Sequence, residues 1–189
     1  MALCNSENEM TNPKNRIGMK SRLSAVFFQR NVLEVAPELL GKILVRRFDN
    51  GQISKFTITE VEAYSGDGDR ACHASKGKTP RTEVMFREGG LVYVYLVYGI
   101  HWLLNIVTGM EGDASAILIR GLQGFNGPGR VGKALQLDKS FYGENLFTSN
   151  RIWIENSEEK VEFNTSPRIG IHYAGEPWVS KPWRFLLKK

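Results

Sequence analysis

Apolar residues recur at two different spacings along this chain, and the switches between them mark out its elements. Val32, Val35, Ala36, Leu39 and Leu40 fall at the three- and four-residue intervals of a helix. Asn31 precedes them as an N-cap, with Glu34 three residues on in the capping-box pattern, and Gly41 can stop the turn. The spacing predicts a short helix over 31–40, shortened or kinked by Pro37. Ile43 to Phe48, the turn Asp49-Asn50-Gly51 and Ile53 to Tyr64 then read as strand, tight turn and strand. In the second strand Phe56 and Ile58, and later Val61 and Ala63, are the apolar positions. The run Leu91 to Tyr98 is the strongest strand signal in the chain. Gly99 breaks it, and His101–Thr108 and Ala114–Leu122 form two further apolar stretches. Pro128 opens a predicted helix through Leu137, and short strands are expected near Ile152–Glu155, Ile169–Tyr173 and Trp183–Leu187.

Between these elements, residues 65–90 are rich in Gly, Asp and Thr and read as a long loop, with one helical turn near Glu83–Phe86. A loop of this length inside a compact domain is usually functional. Residues 1–22 are polar and basic and read as a mobile tail, leaving 23–189 as one domain. The mixture predicts an α+β fold around a curved, mainly antiparallel sheet flanked by helices.

The chain has 189 residues, 42% of them hydrophobic and 24% charged, as a globular domain does. No apolar run reaches bilayer length, and the first residues lack the apolar core of a signal peptide, so cytoplasmic or nucleoid residence is expected and no membrane. Cys4 and Cys72 are the only cysteines, which suits reduced thiols. The net charge of +5 is compatible with a polyanionic partner without requiring one.

Metal-ligand spacings are missing: Cys72 and His73 are adjacent, and neither Cys-x-x-Cys nor His-x-x-x-His occurs. No phosphate-cradling or dinucleotide-binding glycine motif follows a strand. No metal or other cofactor is therefore expected. Glu60 and Glu62 are two apart on a predicted strand and share a face; a carboxylate at a strand end beside a long loop can act as a general base for water. Either could serve, or both could be ordinary carboxylates on an exposed face. Tyr93 and Tyr95 share a face of their strand, and Tyr98 ends it. Tyr64 and His73 flank the acidic strand. Aromatic side chains can hold a flipped base or simply cover a sheet.

A longer set of ordered motifs is more specific. Glu60 to Tyr64 read E-V-E-A-Y, residues 72–75 C-H-A-S, 79–86 T-P-R-T-x-x-M-F and 93–99 Y-V-Y-L-V-Y-G. Leu104-Asn105, I-L-I-R at 117–120, G-P-G-R at 127–130 and R-I-G-I at 168–171 follow. In this order they resemble the alkyladenine (3-methyladenine) DNA glycosylases, from about Phe27 to the C-terminal strand. The resemblance implies a monofunctional enzyme, acting as a monomer on duplex DNA that carries damaged purines, with no metal and no Schiff-base lysine. It puts Glu62 at the water-activating carboxylate, Tyr64 and His73 at base-contacting positions and Tyr95 on the opposite wall. Asn105 matches the residue that crowds the purine 2-position, and Arg120 a residue near the catalytic carboxylate. Tyr98 matches the tyrosine that a protruding hairpin inserts into DNA in place of the flipped nucleotide. Glu60 becomes structural on this reading.

The chain departs from the family at 87–90, where R-E-G-G stands for a common G-P-P-G, at Gly121 and Gln123, and at Ile100. These positions bear on lesion preference and wedge packing more than on the reaction. An idle lesion- or RNA-binding module would not need Glu62. A formyltransferase-type tRNA-binding domain would not explain Tyr98-Gly99 or Asn105, and an enzyme for free nucleosides would not need an intercalating tyrosine.

Overall fold

A computed structural model describes residues 22–188. The predicted tail lies outside them except for Arg22, whose backbone bridges to Glu155 and whose guanidinium donates to the Phe147 carbonyl at 2.7 Å. The domain is a curled antiparallel sheet with helices packed on one face. Helix α1 spans Ala25–Phe28 and α2 Val32–Glu38. Strands β1 (Ile43–Arg47) and β2 (Ile53–Tyr64) form the predicted hairpin. Then come β3 (Val92–Val97), β4 (His101–Thr108), β5 (Ser115–Leu122) and β6 (Phe125–Asn126). Helix α3 spans Pro128–Ala134, and β7 (Ile152–Glu155), β8 (Phe163–Ser166) and β9 (Arg184–Leu187) complete the chain. The main path through the sheet runs β3-β4-β5-β2-β1-β7, and β9 pairs with both β2 and β8.

Alternation along the strands separates a core face from a site face. Val92 and Val94, Leu104 and Ile106, and Ile117 and Ile119 point into the main core with Val32, Val35 and Ala36 of α2. Each buried side chain of this size stabilises the fold by roughly 1.5–3 kcal/mol. Tyr93 and Val107 point the other way, into a second cluster roofed by Cys72, Val84 and Met85 of the 65–90 loop.

In β2 the alternation changes phase. Ile58 and Val61 both face the core although they are three residues apart. The pairing with β5 slips between Ile58 and Glu60 and again between Glu60 and Val61, which is a β-bulge. The extra residue puts Val61 and Ala63 in the core and leaves Glu60, Glu62 and Tyr64 to the site face. Gly121 pairs with Glu60 at the bulge, and a Cβ there would come within 2.9 Å of the Glu60 Cβ and 2.8 Å of the Thr59 hydroxyl. The departure at Gly121 therefore has a local steric reason.

Three expectations are corrected. Helix α3 stops at Ala134 rather than Leu137, because Gln136 turns left-handed (φ 50°). Its N–H then bonds Lys133 O while Leu137 N–H bonds Gly132 O, a Schellman closure. Helix α2 likewise ends at Glu38, one residue after Pro37, and Asn31 caps it through Leu33 N–H at 2.9 Å. The expected strand at Ile169–Tyr173 is absent. Gly170 has φ 77°, the Ile169 N–H is taken up by a carboxylate, and His172–Ala174 close a 3-10 turn. A strand at Phe163–Ser166 was not expected, and its exposed, polar sequence gives no alternation to read.

Candidate active site

On the site face, between β3–β5 and the 167–173 segment, lies a cavity of about 450 Å³. That is within the range of roughly 300–1,000 Å³ usual for small-molecule sites. Tyr64, His73, Tyr95, Asn105, Arg120 and Tyr98 all line it, so the structure brings six of the seven predicted site residues to one cavity.

The aromatic side is built as a unit. His73 and Tyr95 meet edge to face with centroids 4.6 Å apart, and Tyr93 and Tyr95 lie 5.5 Å apart. His73 Nδ1 and the Tyr93 hydroxyl share a hydrogen bond of 2.9 Å. Burial, helped by the Arg81 cation, lowers the His73 pKa to about 4, so the imidazole is neutral at physiological pH. One ring nitrogen is then a donor and the other an acceptor. Arg81 itself sits 5.2 Å over the Tyr95 ring.

The seventh residue, Glu62, lies behind the wall rather than in it. Its side chain is 0% exposed, and three cavity-lining residues hold its carboxylate. Tyr64 O–H donates to Oε2 at 2.7 Å, Ile169 N–H donates to Oε1 at 2.8 Å, and Arg120 Nε stands 3.5 Å from Oε1. Burial pushes the Glu62 pKa up, and Arg120, the Ile169 N–H and Tyr64 O–H each pull it part of the way back. Glu60 differs: Arg120 Nε and Arg184 Nη1 both reach its Oε1 at 3.0 Å. Two guanidiniums share one Glu60 oxygen, which makes Glu60 the anchor of Arg120 rather than a free base.

Asn105 is buried, and its amide donates to the Tyr93 carbonyl at 3.1 Å, which fixes it across the β3–β4 pair. The β3–β4 turn projects Tyr98 (90% exposed) and Ile100 (71% exposed). Tyr98 has φ 52°, a left-handed conformation unfavourable for a residue with a side chain, and Gly99 follows at φ 72°.

Sequence reasoning missed four contributors. Arg81 lay within the T-P-R motif without a role. Ile169 acts through its backbone, which leaves no compositional trace. Asp69 and Arg168 are far apart in sequence, yet they form a fully buried ion pair beside Tyr64. Among the described residues no group of three or more His, Cys, Asp or Glu is placed to hold a metal ion, and no helix is long and apolar enough to cross a membrane.

The site therefore sets a buried carboxylate ringed by donors beside a slot of aromatic rings. Comparisons with known proteins give the class. The sequence model described as "Methylpurine-DNA glycosylase (MPG)" matches residues 26–125 and 122–189. A Chlorobaculum parvum protein is 40% identical, over 83% of this chain and 85% of its own length. A Legionella pneumophila (strain Corby) protein is 42% identical, over 88% and 94%. A Methanocella arvoryzae protein is 38% identical, over 86% and 90%. All three are provisionally named 3-methyladenine DNA glycosylases. The chain belongs to the methylpurine-DNA glycosylase family, and is accordingly a DNA glycosylase of DNA repair.

Proposed function

We propose that the protein, acting as a monomer, flips an alkylated or deaminated purine out of duplex DNA into this cavity. The substrate class is 3-methyladenine, 7-methylguanine, hypoxanthine and ethenoadenine. Water activated by Glu62 hydrolyses the N-glycosidic bond and leaves an abasic site. The observation that carries this reading is the placement of Glu62, buried and gripped from the cavity wall by Tyr64, Ile169 and Arg120.

The chemistry follows from that geometry. As the bond between C1′ and the purine nitrogen lengthens, its electron pair leaves with the base and positive charge builds on the sugar. An ionised Glu62 stabilises that charge and takes a proton from the attacking water, whose oxygen forms the new bond to C1′. Glu62 has no exposed surface in the free protein, so water reaches Oε1 only as Arg120 or Ile169, which line the cavity and hold that oxygen, give way. Tyr64 and Tyr95 stack on the flipped base, His73 contacts its edge, and Asn105 crowds the 2-position. A cationic alkylpurine departs as a neutral base, whereas a neutral lesion needs a proton as it leaves. Tyr98 fills the gap in the duplex from the hairpin tip.

Glu62→Gln tests the reading directly. Lesion-containing duplex should still bind while abasic-site formation falls by at least about 10³-fold, the scale of losing a general base together with its charge. Turnover near the wild-type rate would move the base role elsewhere, Glu60 first. A borohydride-trapped DNA adduct would show an amine nucleophile instead of water.

A further inference from the structure

Arg168 and Asp69 are charged, far apart in sequence and both fully buried. Arg168 Nη1 and Nη2 engage the two Asp69 carboxylate oxygens, and Nη1 also donates to Ala63 O at 2.9 Å. The guanidinium lies 4.7 Å from the Tyr64 ring centroid and 5.0 Å from that of Trp183. Asp69 in turn accepts from Ser65 N–H at 3.2 Å and Ala71 N–H at 3.0 Å, which ties the start of the 65–90 loop to the same point.

Neither residue lines the cavity. Their contacts nevertheless converge on the reaction centre from behind. Ala63 O is the carbonyl between Glu62 and Tyr64, the Tyr64 ring is a cavity wall, and Arg168 immediately precedes Ile169, whose N–H holds Glu62. Arg168 also carries a cost in stability: among the described residues its buried Nε has no acceptor. A buried ion pair is a poor way to gain stability, since well-packed apolar residues often do as well. Its distinctive property is that it fixes geometry.

We propose that the Arg168–Asp69 pair is a positioning device for catalysis, holding Tyr64 and the 167–171 segment so that Tyr64 O–H and Ile169 N–H both aim at the Glu62 carboxylate. This rests on the reading of Glu62 as the base. The charged and titratable groups around Glu62 are Arg120 from β5, Glu60 and Tyr64 from its own strand, Tyr95 from β3, Tyr173 from the 167–173 segment, and Arg184 from β9, which reaches Glu60. The pair's direct contacts lead to Glu62 through Tyr64 and the 167–171 segment.

The test uses the full chain with two variants, Asp69→Asn and the volume-preserving double substitution Arg168→Met with Asp69→Leu. Single-turnover excision from a hypoxanthine duplex is measured across pH, alongside duplex affinity and thermal melting. A misplaced catalytic group can cost about 100-fold in rate, and that is the loss expected for the double variant, with affinity within about threefold of wild type. Loss of an aimed donor weakens the ionised form of Glu62, so the acid limb of the rate profile should move to higher pH in the double variant, which removes both charges. In Asp69→Asn the Arg168 cation left without its partner opposes that shift, and the rate is the readout. A purely structural pair would lower melting temperature and leave that limb in place. Should the double variant not fold, Asp69→Asn decides alone: a wild-type excision rate overturns the inference. A Glu62→Gln control run in parallel separates the failures. If that control excises normally, the base assignment falls; if it is inactive while the pair variants behave as wild type, only the positioning role falls.

Discussion

Arg120 Nε stands 3.0 Å from Glu60 but 3.5 Å from Glu62. The cation nearest the candidate base is thus held by another carboxylate, which sets it at a distance where it lowers the Glu62 pKa without pairing tightly with it. Arg120 is the largest of the effects that oppose burial at Glu62. Arg120→Gln should therefore raise the Glu62 pKa further and displace the acid limb of excision upward. The loss should be greater at pH 6 than at pH 8, since on that limb a tenfold weaker acid leaves about a tenth as much of Glu62 ionised. Glu60→Gln loosens Arg120 but leaves it present, and a milder loss, of about tenfold or less, is expected. Rate profiles of the two variants in one buffer series check both statements.

Glu62 also carries a stability consequence. Its folded pKa is raised by burial, so its favourable contribution is present below the ordinary carboxylate pKa and lost as pH rises through the folded value. Glu62→Gln should accordingly melt above wild type at pH 7–8, with the gap narrowing as pH falls toward 4.5. Melting curves at several pH values would refute this if the variant is the less stable throughout.

His73 has the opposite sign. Its pKa falls from 6.5 to about 4 on folding, so the stability it contributes is present above 6.5 and is lost as pH drops toward 4. His73→Gln removes that titration. The variant should lose less stability than wild type between those two pH values, as read by urea unfolding of both proteins.

Tyr98 separates binding from folding. A base–aromatic stack is worth about 1–3 kcal/mol, so Tyr98→Ala should weaken binding to lesion duplex by roughly 5- to 150-fold. Tyr98→Gly should weaken it similarly yet stabilise the free protein by about 1 kcal/mol, because glycine relieves the left-handed strain at φ 52°. Equal melting temperatures for the alanine and glycine variants would show that the turn stores no strain.

The elements that the sequence predicted well are those where side-chain periodicity and backbone pairing agree. Strands β4 and β7 run between the expected residues, and β2 does so despite its bulge. The bulge itself could be traced only as the change of phase from Phe56 and Ile58 to Val61 and Ala63. The apolar residues of Ile169–Tyr173 look extended in the sequence, whereas in the fold the backbone there serves a carboxylate. Six cavity residues were legible through motif order. The burial of Glu62, the role of Glu60 as the anchor of Arg120, and the Arg168–Asp69 pair depend on approaches across the fold that spacing along the chain does not encode.

Strand β2 is paired on both edges at Glu62, with Leu118 of β5 on one side and Arg184 of β9 on the other. Amide protons in such a doubly flanked strand exchange with solvent only on large-scale opening. The carboxylate is therefore moored in a strand paired on both sides, while Tyr98 projects from a hairpin loop. If Glu62 is the base, as proposed, the travelling falls to the nucleotide: a lesion must be carried in to a stationary carboxylate, and a base that pairs too well to leave the duplex stays out of its reach.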